Sequence, residues 1–255
     1  MKILVVSALP QEWAPLKKHF PGLRPVHKKP YARFALDLPG KEITLIESGM
    51  GENSLRQAVE ATLETFCPEL IIFSGFAGGL HPDLCVGTVC VASGARPIDA
   101  DSVYSFGFCE ELDRFLAQKR VEPVLALTAK SPGDKRLLAA LACGKPAVLD
   151  METASLAEAA CRRKIPFLCF RAISDGIDQE LGFNLEDICD EQYRVRLFRV
   201  IGLIFKKPST LSGFLLLWRN SSFAAKRLCS VLADFLNLPA DLLARMAEGI
   251  TWERQ

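Results

Sequence analysis

Histidine is scarce in this 255-residue chain, with three residues at positions 19, 27 and 81 that are too scattered to form one site. No Cys-x-x-Cys pair occurs among its nine cysteines, so the ligand spacing of a structural zinc site is missing. Neither sign of charge is in excess; the formal net charge of +1 gives no case for a nucleic-acid partner. No apolar run approaches the ~18 residues that a membrane span needs; the longest late runs are 200–205 and 214–218. The opening run 1–7 is too short for a signal peptide and reads as a first strand. The expectation is a cytoplasmic chain with no spanning segment.

Hydrophobic residues make up 49% and charged residues 24%, enough for a sizeable core. The cysteine number is odd and several sit inside apolar runs, Cys169 among them, which reads as free core thiols in a reducing compartment. Strand and helix patterns alternate. Strands are expected at 2–7, 32–38, 42–47, 70–74, 86–93, 123–128, 146–149 and 166–173. Helices are expected at 10–20 with Pro10 in the first turn, at 53–66 with Asn53 as N-cap, at 133–143, and at 151–163. Beyond 185 the pattern is helical almost to the end. This predicts an α/β fold with a largely parallel or mixed sheet. No repeat or long linker divides the chain, so 1–255 reads as one domain with a helical, basic extension over about 188–255.

Three stretches end apolar, β-branched runs: Ser74-Gly75-Phe76-Ala77-Gly78-Gly79-Leu80, Asp150-Met151-Glu152, and Arg171-Ala172-Ile173-Ser174-Asp175. Ends of strands are where α/β sheets hold ligands. The glycines let backbone N–H groups approach a ligand closely, although turns and tight packing use glycine too. A second loop, Glu47-Ser48-Gly49-Met50-Gly51, precedes a helix start and can hold an anion or a hydroxyl-rich ligand, or simply make the turn. Asp150 reads as an N-cap. Glu152 falls in a first helical turn, where the dipole favours a carboxylate; it is also able to accept paired hydrogen bonds from vicinal ribose hydroxyls. Asp175 either caps a turn before Gly176 or acts as a general acid toward a departing base. The second role requires a proton at neutral pH, which burial behind an apolar strand can favour. Glu12 in Leu9-Pro10-Gln11-Glu12-Trp13 lies just past the first strand, as an ordinary first-turn glutamate or as a group that positions a water nucleophile.

In this combination and order the motifs resemble the nucleoside phosphorylase superfamily, and most of all its methylthioadenosine/S-adenosylhomocysteine nucleosidase branch. The resemblance runs over 1–187, and Arg96-Pro97-Ile98-Asp99-Ala100-Asp101 with Phe106-Gly107 fits it as well. It implies a three-layer α/β/α sandwich with a central mixed sheet, and homo-oligomers, often dimers, whose sites are completed near subunit contacts. It implies Asp175 as the acid at purine N7, Glu152 and Met151 at the ribose, and Glu12 as the group that orients water. The implied substrate-binding set is Gly49, Met50, Phe76, Ala77, Gly78, Met151 and Ser174. The substrate would be a purine nucleoside, with adenine carrying a 5′-substituted sugar, and neither metal nor organic cofactor is called for.

Phosphorylases of this superfamily hold phosphate with arginines on early loops. None stands in 9–13 or 48–52 here, which favours water as nucleophile and leaves phosphorolysis as the alternative. A nucleoside-binding protein without turnover is a third reading. Phe76 replaces a small polar residue usual in the nucleosidases and makes the sugar side greasier. The long tail resembles the hopanoid-associated phosphorylases, a branch that acts on adenosyl-lipid. From 194 to 228 the tail carries eight basic and no acidic residues, interleaved with Phe, Leu, Ile and Trp. Such a segment can lie on an anionic membrane surface, or pack on the sheet with a solvated basic face.

Overall fold

A computed structural model describes residues 1–130, 133–179 and 210–254. Its elements in order are β1 (Lys2–Ser7), α1 (Pro10–Trp13), α2 (Leu16–His19), β2 (Arg24–His27), β3 (Ala32–Leu38), β4 (Lys41–Glu47), α3 (Glu52–Leu63), β5 (Leu70–Gly79), β6 (Val89–Pro97), β7 (Tyr104–Gly107), α4 (Glu110–Lys119), β8 (Glu122–Thr128), α5 (Lys135–Ala140), β9 (Ala147–Asp150), α6 (Thr153–Arg163), β10 (Phe167–Asp175), α7 (Thr210–Leu236), α8 (Ala240–Glu248) and β11 (Thr251–Arg254).

The strands form one mixed sheet in the order β11-β7-β6-β8-β9-β5-β1-β4-β3-β2, and β10 pairs with both β5 and β6. Strands β5, β10, β6, β8 and β9 therefore close on themselves as a ring, which removes their free edges. The central strands β1, β5 and β10 run parallel. Their first residues are continuous apolar runs, as burial on both faces demands; Leu70 to Phe73 are each 0% exposed. One face is covered by α1, α2, α4, α7 and α8, through Trp13, Leu16, Leu112, Phe235 and Leu243. The other is covered by α3 and α6, through Leu55, Val59, Leu156 and Ala160. Two apolar layers on one mixed sheet give the α/β/α arrangement.

Several expected boundaries move. The helix expected at 10–20 is two short helices, because Pro15 has no N–H to continue the first and instead leads into the second. Helix α3 is preceded by Gly51, at φ +88°, rather than by Asn53. Helix α5 is shorter than 133–143 and is capped by Asp134, whose carboxylate accepts from Arg136 N (2.9 Å) and Leu137 N (3.3 Å). Helix α6 begins at Thr153, and Glu152, not Asp150, stands immediately before it. The glycine stretch after Ser74 is no loop: β5 continues through Gly79, paired with β10 on one side and β9 on the other. The described cysteines are all free thiols. The helical reading of 185–209 lies outside the described residues.

Candidate active site

Arg171 sits in the middle of β10, an otherwise apolar strand, and is 1% exposed. A buried guanidinium needs carboxylate and hydroxyl partners. Its Nη2 donates to Asp150 Oδ2 at 2.5 Å and to Thr153 Oγ1 at 2.8 Å, and its Nε donates to Thr153 Oγ1 at 3.2 Å. The guanidinium lies 4.0 Å from the Phe73 ring centroid. Burial works against its charge, but Asp150, Glu152 and Glu12 together raise its pKa above the ordinary value. Asp150 also accepts from the Thr128 hydroxyl at 2.8 Å and from Thr153 N at 3.3 Å. It therefore anchors Arg171 and helps to start α6.

Two more carboxylates approach this hub. Glu12 is 4% exposed. Its Oε2 accepts from the N–H groups of Ala8 and Leu9, both at 2.8 Å, and its Oε1 accepts from Phe76 N at 3.0 Å. The glutamate thus caps α1 backwards and also joins α1 to β5. A Cβ built on Gly75 would stand 2.4 Å from Arg171 Nη1 and 2.8 Å from Glu12 Oε1. Glycine at 75 is what lets these two groups meet against the strand. Burial raises the Glu12 pKa, opposed by its backbone donors and Arg171. Glu152, 5% exposed, accepts from Gly51 N at 2.8 Å. Burial pushes its carboxyl up to about 7; Arg171 opposes that shift, and Asp150 and Glu12 add to it.

Asp175 ends β10 three residues further along β5, opposite Gly78. The register shifts between Ile173 and Asp175, so an extra residue re-aims the side chain. The Ser174 hydroxyl donates to Asp175 Oδ1 at 2.5 Å and also reaches the Ala77 carbonyl at 3.4 Å. Lys135 Nζ pairs with Asp175 Oδ2.

Of the residues expected at the site, Glu12 is bonded to the Phe76 backbone, Glu152 lies with Glu12 in the field of Arg171, and Asp175, Ser174, Ala77 and Gly78 stand together three residues further along β5. Gly49, at φ +78°, donates its N–H to the Ala8 carbonyl at 3.0 Å, which seats the β4–α3 loop beside the Glu12 loop. Met50 and Met151 line a cavity of about 710 Å³, together with Tyr104, Thr128 and Arg254. That cavity touches neither Glu12 nor Asp175. Sequence reasoning assigned no role to Arg171 or Lys135. A lone arginine inside an apolar strand is the available signal for the first; a lysine at the start of a short helix gives none for the second.

A model of the phosphorylase superfamily matches residues 2–144 and 136–205. The 5′-methylthioadenosine/S-adenosylhomocysteine nucleosidase of Listeria welshimeri is 28% identical over 214 residues, covering 73% of this chain and 91% of that one. Its counterpart in Listeria innocua is 27% identical over the same share. Among solved structures, S-adenosylhomocysteine nucleosidase from Streptococcus pyogenes, in complex with 5-methylthiotubericidin, has a TM-score of 0.69 at 21% identity, covering 94% of this chain and 98% of that one. The native futalosine hydrolase of Helicobacter pylori has a TM-score of 0.65 at 18% identity, covering 92% and 98%.

Proposed function

The chain belongs to the phosphorylase superfamily, and from that premise we propose that this enzyme cleaves the N-glycosidic bond of a purine nucleoside, an adenosine with a 5′ substituent, using water. The observation that supports the reading is that two buried glutamates, Glu12 and Glu152, lie within electrostatic reach of Arg171, on the strand that ends in Asp175. As the C1′–N9 bond breaks, its electron pair goes to the base, and Asp175 delivers a proton at N7. The sugar passes through an oxocarbenium-like state. Glu152 accepts hydrogen bonds from the ribose hydroxyls and offsets the growing positive charge. Glu12 takes the proton of the attacking water; its raised pKa makes it a better base than an exposed glutamate. The products are free adenine and the 5′-substituted ribose.

The test is incubation with several adenosines, 5′-methylthioadenosine among them, with and without phosphate. Adenine release without phosphate is expected. Release that depends on phosphate would make the enzyme a phosphorylase, and binding without release would leave a nucleoside-binding protein. The cavity beside Met50, Met151 and Arg254 supports a further expectation: a second copy of the chain closes that side, as the resemblance to dimeric nucleosidases implies. Sedimentation at micromolar concentration should then give the mass of a dimer.

Helix α7 supports peripheral contact with an anionic membrane. Leu215, Leu216, Trp218 and Phe223 are exposed on it, beside exposed Arg219, Lys226 and Arg227. An interfacial helix has this composition. Among the described residues no helix is long and apolar enough to cross a bilayer. The other tail cations, Arg194, Arg196, Arg199, Lys206 and Lys207, lie outside the described residues. Co-sedimentation with anionic vesicles should be lost when Arg219, Lys226 and Arg227 are all changed to Gln; equal pelleting of both proteins refutes the idea.

A further inference from the structure

Asp175 is already engaged, by a partner that the proposed reaction does not use. Lys135, the first residue of α5, directs its ammonium at Asp175 Oδ2, and the same nitrogen donates to the Gly176 carbonyl at 2.9 Å. Each side chain of the pair is 16% exposed, so solvent screens the contact only partly. Gly78 makes room for it: a Cβ there would meet Lys135 Cε at 3.0 Å and Asp175 Oδ2 at 3.3 Å. Next along the helix, Arg136 pairs with Asp178 at 3.0 Å. Helix α5 packs on the core through half-buried Leu138 and Ala139, and the Lys135 bridge joins its first turn to the end of β10.

An ammonium on a carboxylate oxygen resembles one stage of the chemistry. A purine protonated at N7 is also a cationic N–H donor, and Asp175 has two oxygens. One, Oδ1, is taken by the Ser174 hydroxyl. The other, Oδ2, is taken by Lys135.

We propose that Lys135 is a positioning residue of the leaving-base pocket: its ammonium occupies Asp175 Oδ2 in the free protein and leaves that oxygen when the nucleoside binds, and Asp175 then takes from solvent the proton that it donates to N7. The ammonium keeps its bond to the Gly176 carbonyl when it leaves Oδ2, so the exchange needs only a short movement of the side chain. The pair keeps a mostly buried carboxylate compensated while the pocket is empty. It also lowers apparent affinity by the fraction of molecules in which Asp175 is occupied. This inference rests on Asp175 as the acid.

The experiment compares wild type, Lys135→Met and Lys135→Arg in two measurements. One is steady-state cleavage of 5′-methylthioadenosine; the other is calorimetric binding of adenine. Melting curves confirm that each variant folds. For Lys135→Met, KM should fall and adenine should bind more tightly, each by about fivefold, the scale of losing one competing ion pair. Lys135→Arg should return both values toward wild type. If wild type releases adenine while Lys135→Met leaves KM and adenine affinity unchanged, this inference alone is overturned. A variant with lower kcat at unchanged KM overturns it too, by placing the lysine in the chemistry. A wild type that releases no adenine overturns the catalytic reading, and this one with it.

Discussion

At the residue scale the site is a problem of holding charge out of water. Arg171 solves it for Asp150 outright and for Glu12 and Glu152 in part. Glu152 shows the remainder, since burial still leaves its carboxyl at about 7 against an ordinary 4.5. The folded protein therefore binds this proton more tightly than the unfolded chain does. Its contribution to stability is fully present below about pH 4.5 and is lost as pH rises to about 7, by up to about 3 kcal/mol. Glu152→Gln removes that dependence and keeps an acceptor for Gly51 N. Urea midpoints at pH 5 and pH 8 should show the variant gaining on wild type at the higher pH; a constant difference would contradict the burial argument. Asp175→Asn keeps the shape but has no proton to give. It should lower adenine release by about 10²–10⁴-fold, the usual scale of general acid catalysis, while a bound nucleoside is still detected by calorimetry.

Elements decide where these residues meet. Strand β5 is the example, because its glycines admit side chains from neighbouring elements. Gly75→Ala would drive a methyl into Arg171 and Glu12. It should cost about 1–3 kcal/mol in denaturant unfolding. Gly176→Ala, where nothing stands within 4 Å, should be close to neutral. The same strand explains what could be read in advance. Its first residues are apolar, and so are β1 and most of β10, which made the central sheet legible. The glycines read as a loop because glycine alone favours loops; pairing with β10 and β9 overrides that preference. Strands β2, β7 and β11 are four residues each; β2 and β11 are exposed throughout and carry no alternation, and the alternation of β7 is too short to stand out. Arg171 and Lys135 escaped for a related reason. Their partners are 21 and 40 residues away, and local patterns carry no information at that range.

Across the whole molecule, the C-terminal helices complete what the N-terminal strands begin. Lys41, 7% exposed, opens β4 and donates to the carbonyls of Leu236 and Leu238, at 2.8 and 2.5 Å, where α7 ends. Burial lowers its pKa, and its ammonium supplies donors at a helix end, where the last carbonyls have no intrahelical N–H. Lys41→Met should cost about 1–3 kcal/mol, read as a lower urea midpoint. Helix α7 in turn packs on α1, with Cys229 Sγ 3.3 Å from the Glu12 carbonyl oxygen.

That last contact sets an order of events during synthesis. Glu12 leaves the ribosome 217 residues ahead of Cys229, on the helix that backs it. A growing polypeptide thus exposes its sheet long before the Glu12 loop has a floor, and activity should appear only after α7 is translated and docked.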